Sequence, residues 1–182
     1  MIHMNTRSLI LILPIALFFT GCAPTLFQAI RASESDTVQQ LLEGGADPNA
    51  TDAQGLPALM LAIKNSEGSM VEQLLEHDAD PNATDTQGLP ALILAIKNSE
   101  GSMVEQLLER DADPNAIDTQ GLPALILAIK NSEGSMVKQL LERGADPNAI
   151  DKNGVSAYEL ATQESEDQMA KLLQKHGAVV DQ

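Results

Sequence analysis

The sequence predicts an all-α solenoid in which short helix-turn-helix units stack along one axis. The tetrapeptide Asp-Pro-Asn-Ala recurs with an unchanged period of 33 residues. It begins at Asp47, Asp80, Asp113 and Asp146. The chain is 43% hydrophobic but has only three Phe, one Tyr and no Trp, so its core must be built from aliphatic side chains. Such a period is typical of repeat proteins, whose units bury their apolar faces by stacking.

Each period contains two stretches with helical spacing. In the unit 52–84, the stretch Leu56–Ile63 has apolar residues on one helical face, and Pro57 fits a first turn because its missing N–H is not needed there. After a turn at 66–69, a second apolar stripe predicts an antiparallel helix. This stripe consists of Met70, Val71, Leu74 and Leu75. The turn-forming residues of 78–88 predict a hairpin-like connection to the next unit.

The units are nearly identical in sequence. Residues 85–117 and 118–150 differ only at Glu105/Lys138 and Asp111/Gly144, which indicates tandem duplication. We therefore divide the chain into a leader and five units, of which the first and last are terminal caps. The leader is 1–21, and the units are 22–51, 52–84, 85–117, 118–150 and 151–182.

These units resemble the ankyrin repeat family. In unit 52–84 the matching residues are Asp52, Gly55, Leu59, Ala62, Val71, Leu74, Leu75, Ala79, Asp80, Asn82 and Ala83. The resemblance covers nearly all of the chain after the leader. It implies an ankyrin-type α-solenoid of about five 33-residue helix-turn-helix units with hairpin-like connections, and a protein-binding function without intrinsic chemistry.

Two departures from the family pattern affect the first helix. The usual Thr-Pro-Leu-His start reads Leu-Pro-Ala-Leu in units 52–84, 85–117 and 118–150, so these units lack the hydroxyl N-cap, which Ser156 restores in the last unit. The family's histidine is replaced by apolar residues, and we expect these sites to be purely apolar. They are Met60, Ile93 and Ile126.

A third departure affects the end of the second helix. A glycine suited to a left-handed turn follows that helix at Gly45, Gly144 and Gly177, but Asp78 and Asp111 stand in its place in two units. Asp tolerates the left-handed conformation at a cost of about 1 kcal/mol or less, so we expect the middle of the array to be slightly softened.

The leader indicates export. Arg7 precedes a 12-residue apolar stretch, Ser8–Phe19, which is shorter than the ~20 residues that span a bilayer. The following Thr20-Gly21-Cys22 resembles the end of a bacterial lipobox, in which the cysteine receives acyl chains such as palmitate and begins the mature protein. The alternative is an ordinary secretory signal with a chance cysteine.

The resemblance to lipoproteins implies a membrane anchor through acyl chains on Cys22. Ala23 in the second mature position is similar to lipoproteins that reach the outer membrane of Gram-negative cells, so we expect an envelope protein that faces the periplasm. A net charge of −15 disfavours nucleic acid, which is bound by clustered Lys and Arg. It also disfavours contact with anionic headgroups, so the lipid itself must hold the chain at the membrane.

No catalytic residue, metal site or cofactor is predicted. His77 and His176 lie at the ends of second helices, where we expect them to face solvent, and no Ser or acid is held at a fixed spacing from them. The stretch 80–85 is similar to a calcium loop, but Ala91 stands where a bidentate Glu is needed. We therefore expect the chain not to be an enzyme.

Residues 33 apart should stack above one another, and one such column, the cation column, is basic. It consists of Arg31, Lys64, Lys97 and Lys130. The resemblance to ankyrin proteins places this column on the concave binding face, together with the next residue and the hairpin tips. That adds Asn65, Asn98 and Asn131, then Gln54, Gln87 and Gln120, and finally Leu56, Leu89 and Leu122.

The cation column has two interpretations. It can form a groove of regularly spaced charges beside leucines, suited to an acidic and partly apolar partner. Alternatively, one surface lysine was copied with its repeat and pairs locally. The glutamates available for such pairing are Glu67, Glu100 and Glu133.

The sequence therefore predicts a monomeric, lipid-anchored protein-binding module. One role by analogy is an inhibitor or immunity-type protein that captures a toxin or hydrolase. The alternative is a constitutive structural scaffold for envelope proteins. The identity of the protein partner is left open.

Overall fold

The computed structural model describes residues 24–163 and 166–179. The leader 1–21 and the predicted lipidation site Cys22 lie outside these residues. In the described residues the backbone forms ten helices, and no helix is long and apolar enough to cross a membrane. The helices are α1 Leu26–Arg31, α2 Ser35–Glu43, α3 Ala58–Lys64, α4 Gly68–Glu76, α5 Ala91–Lys97, α6 Gly101–Glu109, α7 Ala124–Lys130, α8 Gly134–Glu142, α9 Ala157–Gln163 and α10 Asp167–Lys175.

The helices form antiparallel pairs that stack in register. Helix α3 packs against its partner α4 and against the equivalent helices α1 and α5, and α4 packs in the same way against α2 and α6. The buried side chains of all units form one continuous apolar cluster. The predicted all-α solenoid is therefore confirmed.

The first helix of each unit is the most buried element. Helix α3 buries all of its residues except Lys64, and Met60, Ile93 and Ile126 are fully enclosed, as predicted for apolar replacements of a polar site. Pro57 lies just before the helix as its N-cap (φ −61°, ψ 148°), without a side-chain cap, so the helix begins one residue later than expected. In the last unit Ser156 Oγ accepts from the Glu159 N–H at 3.2 Å, which confirms the restored hydroxyl cap.

The turn between the two helices is tighter than predicted. The second helix begins at Gly68, so two of the four residues assigned to the turn are helical. Ser66 adopts a left-handed conformation (φ 57°), with its N–H bonded to Ile63 O and the Glu67 N–H bonded to Ala62 O. These two bonds form a Schellman motif that closes the first helix, with serine where glycine is usual.

The ends of the second helices have the predicted left-handed residues. Gly45, Gly144 and Gly177 have φ of 87°, 91° and 99°. Asp78 and Asp111 have φ of 66° and 65°, so aspartate occupies the same conformation in the two units without this glycine.

The connections between units contain a single antiparallel bridge each and no longer ladder. The bridges are Thr51 with Pro57, Thr84 with Pro90, Ile117 with Pro123, and Ile150 with Ser156. Each connection is therefore hairpin-like, as predicted, and is held by a few backbone bonds together with bonds from aspartate side chains.

The asparagine of each Asp-Pro-Asn-Ala motif ties its unit to the next. Asn115 Nδ2 donates to Gly144 O at 3.3 Å, and Asn115 Oδ1 accepts from the Asp146 N–H at 2.8 Å. The same two bonds recur at three other positions: Asn49, Asn82 and Asn148. Meanwhile the motif's aspartate closes its own turn, as Asp113 Oδ1 accepts from the Asn115 N–H at 2.9 Å.

Replacing Asn115 with Ala should lower the free energy of unfolding by about 1–3 kcal/mol, because both bonds to the next unit are lost and two backbone groups lose their partners. Urea unfolding followed by circular dichroism measures this change. Gln120→Ala is the matched control, since Gln120 is an exposed residue of the same connection. It should change stability by less than about 0.5 kcal/mol. Equal losses of unfolding free energy in both variants would contradict the role of Asn115 in joining neighbouring units.

Candidate partner-binding surface

The residues of the cation column occupy equivalent positions. Each is the last residue of a first helix, and all four are exposed. The four cations therefore lie at equivalent positions on the surface, as predicted. Whether each can attract a partner depends on the groups that it already contacts.

Three members of the column form ion pairs with the aspartate that opens the next unit. Arg31 Nη2 lies 2.7 Å from Asp52 Oδ2. Lys97 and Lys130 Nζ lie 3.2 and 3.1 Å from Oδ2 of Asp118 and Asp151. These three side-chain carboxylates are only 3–6% exposed, whereas the cations are 35–50% exposed.

The predicted local pairing with Glu67, Glu100 and Glu133 is wrong. These glutamates lie just before the second helices, across the tight turn, and keep part of their surface in solvent. A nearly buried carboxylate gains more from a cation than a hydrated one does, because the pair offsets its lost hydration.

Each of these aspartates also shapes its connection through backbone bonds. Asp118 Oδ1 accepts from the N–H groups of Gln120 and Leu122 at 2.8 and 2.9 Å. The equivalent pairs of bonds form at Asp52, Asp85 and Asp151. The carboxylate thus positions the predicted Gln and Leu residues of the hairpin tip.

These bonds hold the pKa of three carboxyls below the ordinary value. For Asp52 the main cause is the Leu56 N–H, and for Asp151 it is the Asn153 N–H, with smaller contributions from the paired cations. For Asp118, burial acts to raise the pKa, but the backbone bonds and Lys97 together outweigh it. All three aspartates are therefore charged at neutral pH.

The ladder of ion pairs is interrupted once. Within the described part of the chain, Lys64 has no carboxylate oxygen within 4.0 Å, although Asp85 makes both backbone bonds of its equivalents. The junction between units 52–84 and 85–117 therefore presents a lysine whose charge is not neutralised by an ion pair.

The other predicted surface residues divide into three groups. Asn65, Asn98 and Asn131 donate through Nδ2 to a carbonyl of the preceding unit at 3.4 Å, so they contribute to stacking. Leu56, Leu89 and Leu122 are half-buried against the core. Gln54, Gln87 and Gln120 are exposed.

Sequence reasoning missed two exposed apolar residues beside the cation column. Ile117 and Ile150 are 55% and 56% exposed, and each immediately precedes a paired aspartate. Units upstream have Thr51 and Thr84 at the same position. The change from Thr84 to Ile117 could have drawn attention to this position, because it is one of the few differences between nearly identical units.

The outer helices carry a different set of contacts. Arg110 and Arg143 donate through Nη1 to carbonyls of the preceding unit, Leu75 O and Leu108 O, at 2.7 Å each. Two depressions beside these arginines have volumes of about 70 and 50 Å³. Typical small-molecule pockets are about 300–1,000 Å³. These depressions are therefore not small-molecule sites.

His77 and His176 lie at helix ends. His77 and His176 are the C-cap residues of α4 and α10, and both are half-buried, so the expectation that they face solvent was only partly correct. Across residues 24–163 and 166–179 no group of three or more potential metal ligands is found. Asp80 and Asp85 instead accept backbone N–H groups within their own turns.

Lys97→Met should lower the free energy of unfolding at pH 7 by about 1–2 kcal/mol, since it leaves a nearly buried carboxylate without its cation. A carboxyl with a lowered folded-state pKa stabilises the protein above its ordinary pKa of 3.8, and this contribution is lost as the pH falls through the folded-state value. The variant should therefore unfold in acid at a higher pH than the parent.

Lys64→Met is the matched control for this measurement, because it removes the same side chain from a position without an ion pair. It should change stability by less than about 0.5 kcal/mol. Acid and urea unfolding of both variants make the comparison, and indistinguishable curves would contradict the assigned pairing.

Comparison with known proteins identifies the repeat. A family model described as ankyrin repeats in three copies matches residues 26–118 and 100–182, which together cover most of the chain. No match to a curated protein is found.

Proposed function

The chain belongs to the ankyrin-repeat family, and from this premise we propose that it is a lipid-anchored protein-binding module of a bacterial cell envelope. Ankyrin repeats are protein-interaction modules. The observation that carries the binding part is the cation column with its flanking exposed Gln and Ile residues, repeated in register along one side of the array. Regularly spaced exposed groups on a rigid stack provide a surface that is organised before binding.

The spacing of Cys22 supports the anchored form of this proposal. Thr25 caps the first helix through a capping box, since its Oγ1 accepts from the Gln28 N–H at 3.3 Å and its N–H donates to Gln28 Oε1 at 2.9 Å. Helix α1 then begins at Leu26, four positions after Cys22. A segment of this length spans at most about 14 Å, so a lipid on Cys22 would hold the first unit against the bilayer.

Within this proposal the chain acts as an inhibitor or immunity-type protein that captures a toxin or hydrolase in the periplasm. The differences between units favour one dominant partner. Among the residues that the structure describes, Lys64 lacks an ion pair and exposed isoleucines occur only in units 85–117 and 118–150, so a partner can bind in one register.

A constitutive scaffold is the second candidate. The units 85–117 and 118–150 differ at only two positions, so they offer nearly equivalent surfaces that can space several copies of one envelope protein. The two roles differ in the number of partners that the array holds at once.

Fractionation and crosslinking in a Gram-negative host that encodes the chain test the proposal. The full chain should sediment with the outer membrane and incorporate labelled palmitate, whereas Cys22→Ala should incorporate none and should keep the leader. Formaldehyde crosslinking of the full chain should recover one dominant protein for an inhibitor and several abundant envelope proteins for a scaffold. Equal palmitate incorporation by both forms, or none by either, would contradict the anchor.

A further inference from the structure

The residue before each buried hairpin aspartate changes character along the array. It is Thr51 and Thr84 in the first half, and Ile117 and Ile150 in the second. Thr84 and Ile117 form the same bridge to a proline, so the backbone does not require isoleucine there. The isoleucines remain 55% and 56% exposed, so the fold gains little from their apolar surface.

The pairing of the cation column differs at one position, because Arg31, Lys97 and Lys130 are paired and Lys64 is not paired within the described residues. Beside each exposed isoleucine the lysine is neutralised, as Lys97 pairs with Asp118 and Lys130 pairs with Asp151. In the second half of the array the exposed isoleucines therefore stand beside cations whose charge is balanced by a paired aspartate. One unit earlier, Lys64 is exposed and lies more than 4.0 Å from every carboxylate of the described residues.

We propose that this surface recognises an acidic, partly apolar segment of a partner protein. Two large apolar side chains of the segment cover Ile117 and Ile150, and a carboxylate of the segment pairs with Lys64. The inference rests on the proposed protein-binding function and specifies the partner's chemistry.

The spacing of the array sets the spacing of the motif. Packed units lie about 10 Å apart. Because Lys97 is bonded to the residue after Ile117, Lys64 lies about one unit from the level of Ile117 and about two units from Ile150. An extended peptide rises about 3.3 Å per residue, so the carboxylate should stand about three and six residues from the two apolar side chains.

A second copy of this chain is a poor occupant, because each copy has a net charge of −15. An acidic peptide is also repelled at long range. At physiological salt this repulsion is screened over about 8 Å, whereas a direct contact with Lys64 is not. Binding should therefore depend on Lys64 locally even though the whole chain is acidic.

A phage-displayed library of random 12-residue peptides, panned on the immobilised full chain, tests the inference. Enriched peptides should contain Asp or Glu at the stated spacing from two large apolar residues. A synthetic enriched peptide should bind about tenfold more weakly to Ile117→Thr/Ile150→Thr, and about tenfold more weakly to Lys64→Met. The threonines are the residues of the upstream units, so this variant should keep the parent's circular dichroism spectrum and thermal midpoint.

Glu105→Gln on the outer helix α6 is the matched control and should leave the affinity unchanged. Enriched peptides without the motif, or with unchanged affinity for the Ile and Lys64 variants, would overturn the inference while leaving protein binding intact. A lack of any enrichment over a surface without the chain would instead contradict the proposed binding function itself.

Discussion

The structure depends on one constraint, which is that a pair of two-turn helices cannot bury its own apolar face. Every unit therefore needs a neighbour, and the first helices of the three inner units lie enclosed between equivalent helices. Because the interface is the same at each step, residues 33 positions apart lie in columns. Core residues, hydrogen bonds between units and surface residues therefore recur from unit to unit. A substitution that is copied with its unit reappears one unit further along the stack.

Polar side chains complete the stacking that the apolar core begins. The asparagines of the Asp-Pro-Asn-Ala motifs bridge neighbouring units, and the hairpin aspartates join backbone N–H groups to a cation of the preceding unit. Much of the cation column thus has a structural role. We propose that recognition is concentrated at Lys64, which has no ion pair among the described residues, and at the neighbouring Ile117 and Ile150. The residues proposed to bind therefore lie among, but differ from, the paired residues that stabilise the stack.

Much of the fold could be predicted from the sequence, because the period and the apolar spacing define the helix pairs and the stack. Left-handed residues were predictable at Asp78 and Asp111, since glycine stands at the equivalent positions. Left-handed Ser66 was not, because serine has no such preference. The partners of the lysines were also missed, since pairing depends on which carboxylate is buried. The difference between Thr84 and Ile117 is visible in the sequence. That the isoleucines are exposed depends on how the units stack, and the sequence alone does not show it.

Deletion of residues 118–150 tests the central claim, that the array is a linear stack of interchangeable units, most directly. The deletion joins Ile117 to Asp151, which reproduces the natural junction of Ile150 with Asp151. The account predicts a folded four-unit protein with unchanged helicity per residue and cooperative urea unfolding. Its free energy of unfolding and its m-value should both be smaller, in step with the lost unit. Loss of cooperative unfolding, or a collapse of helicity, would contradict the account.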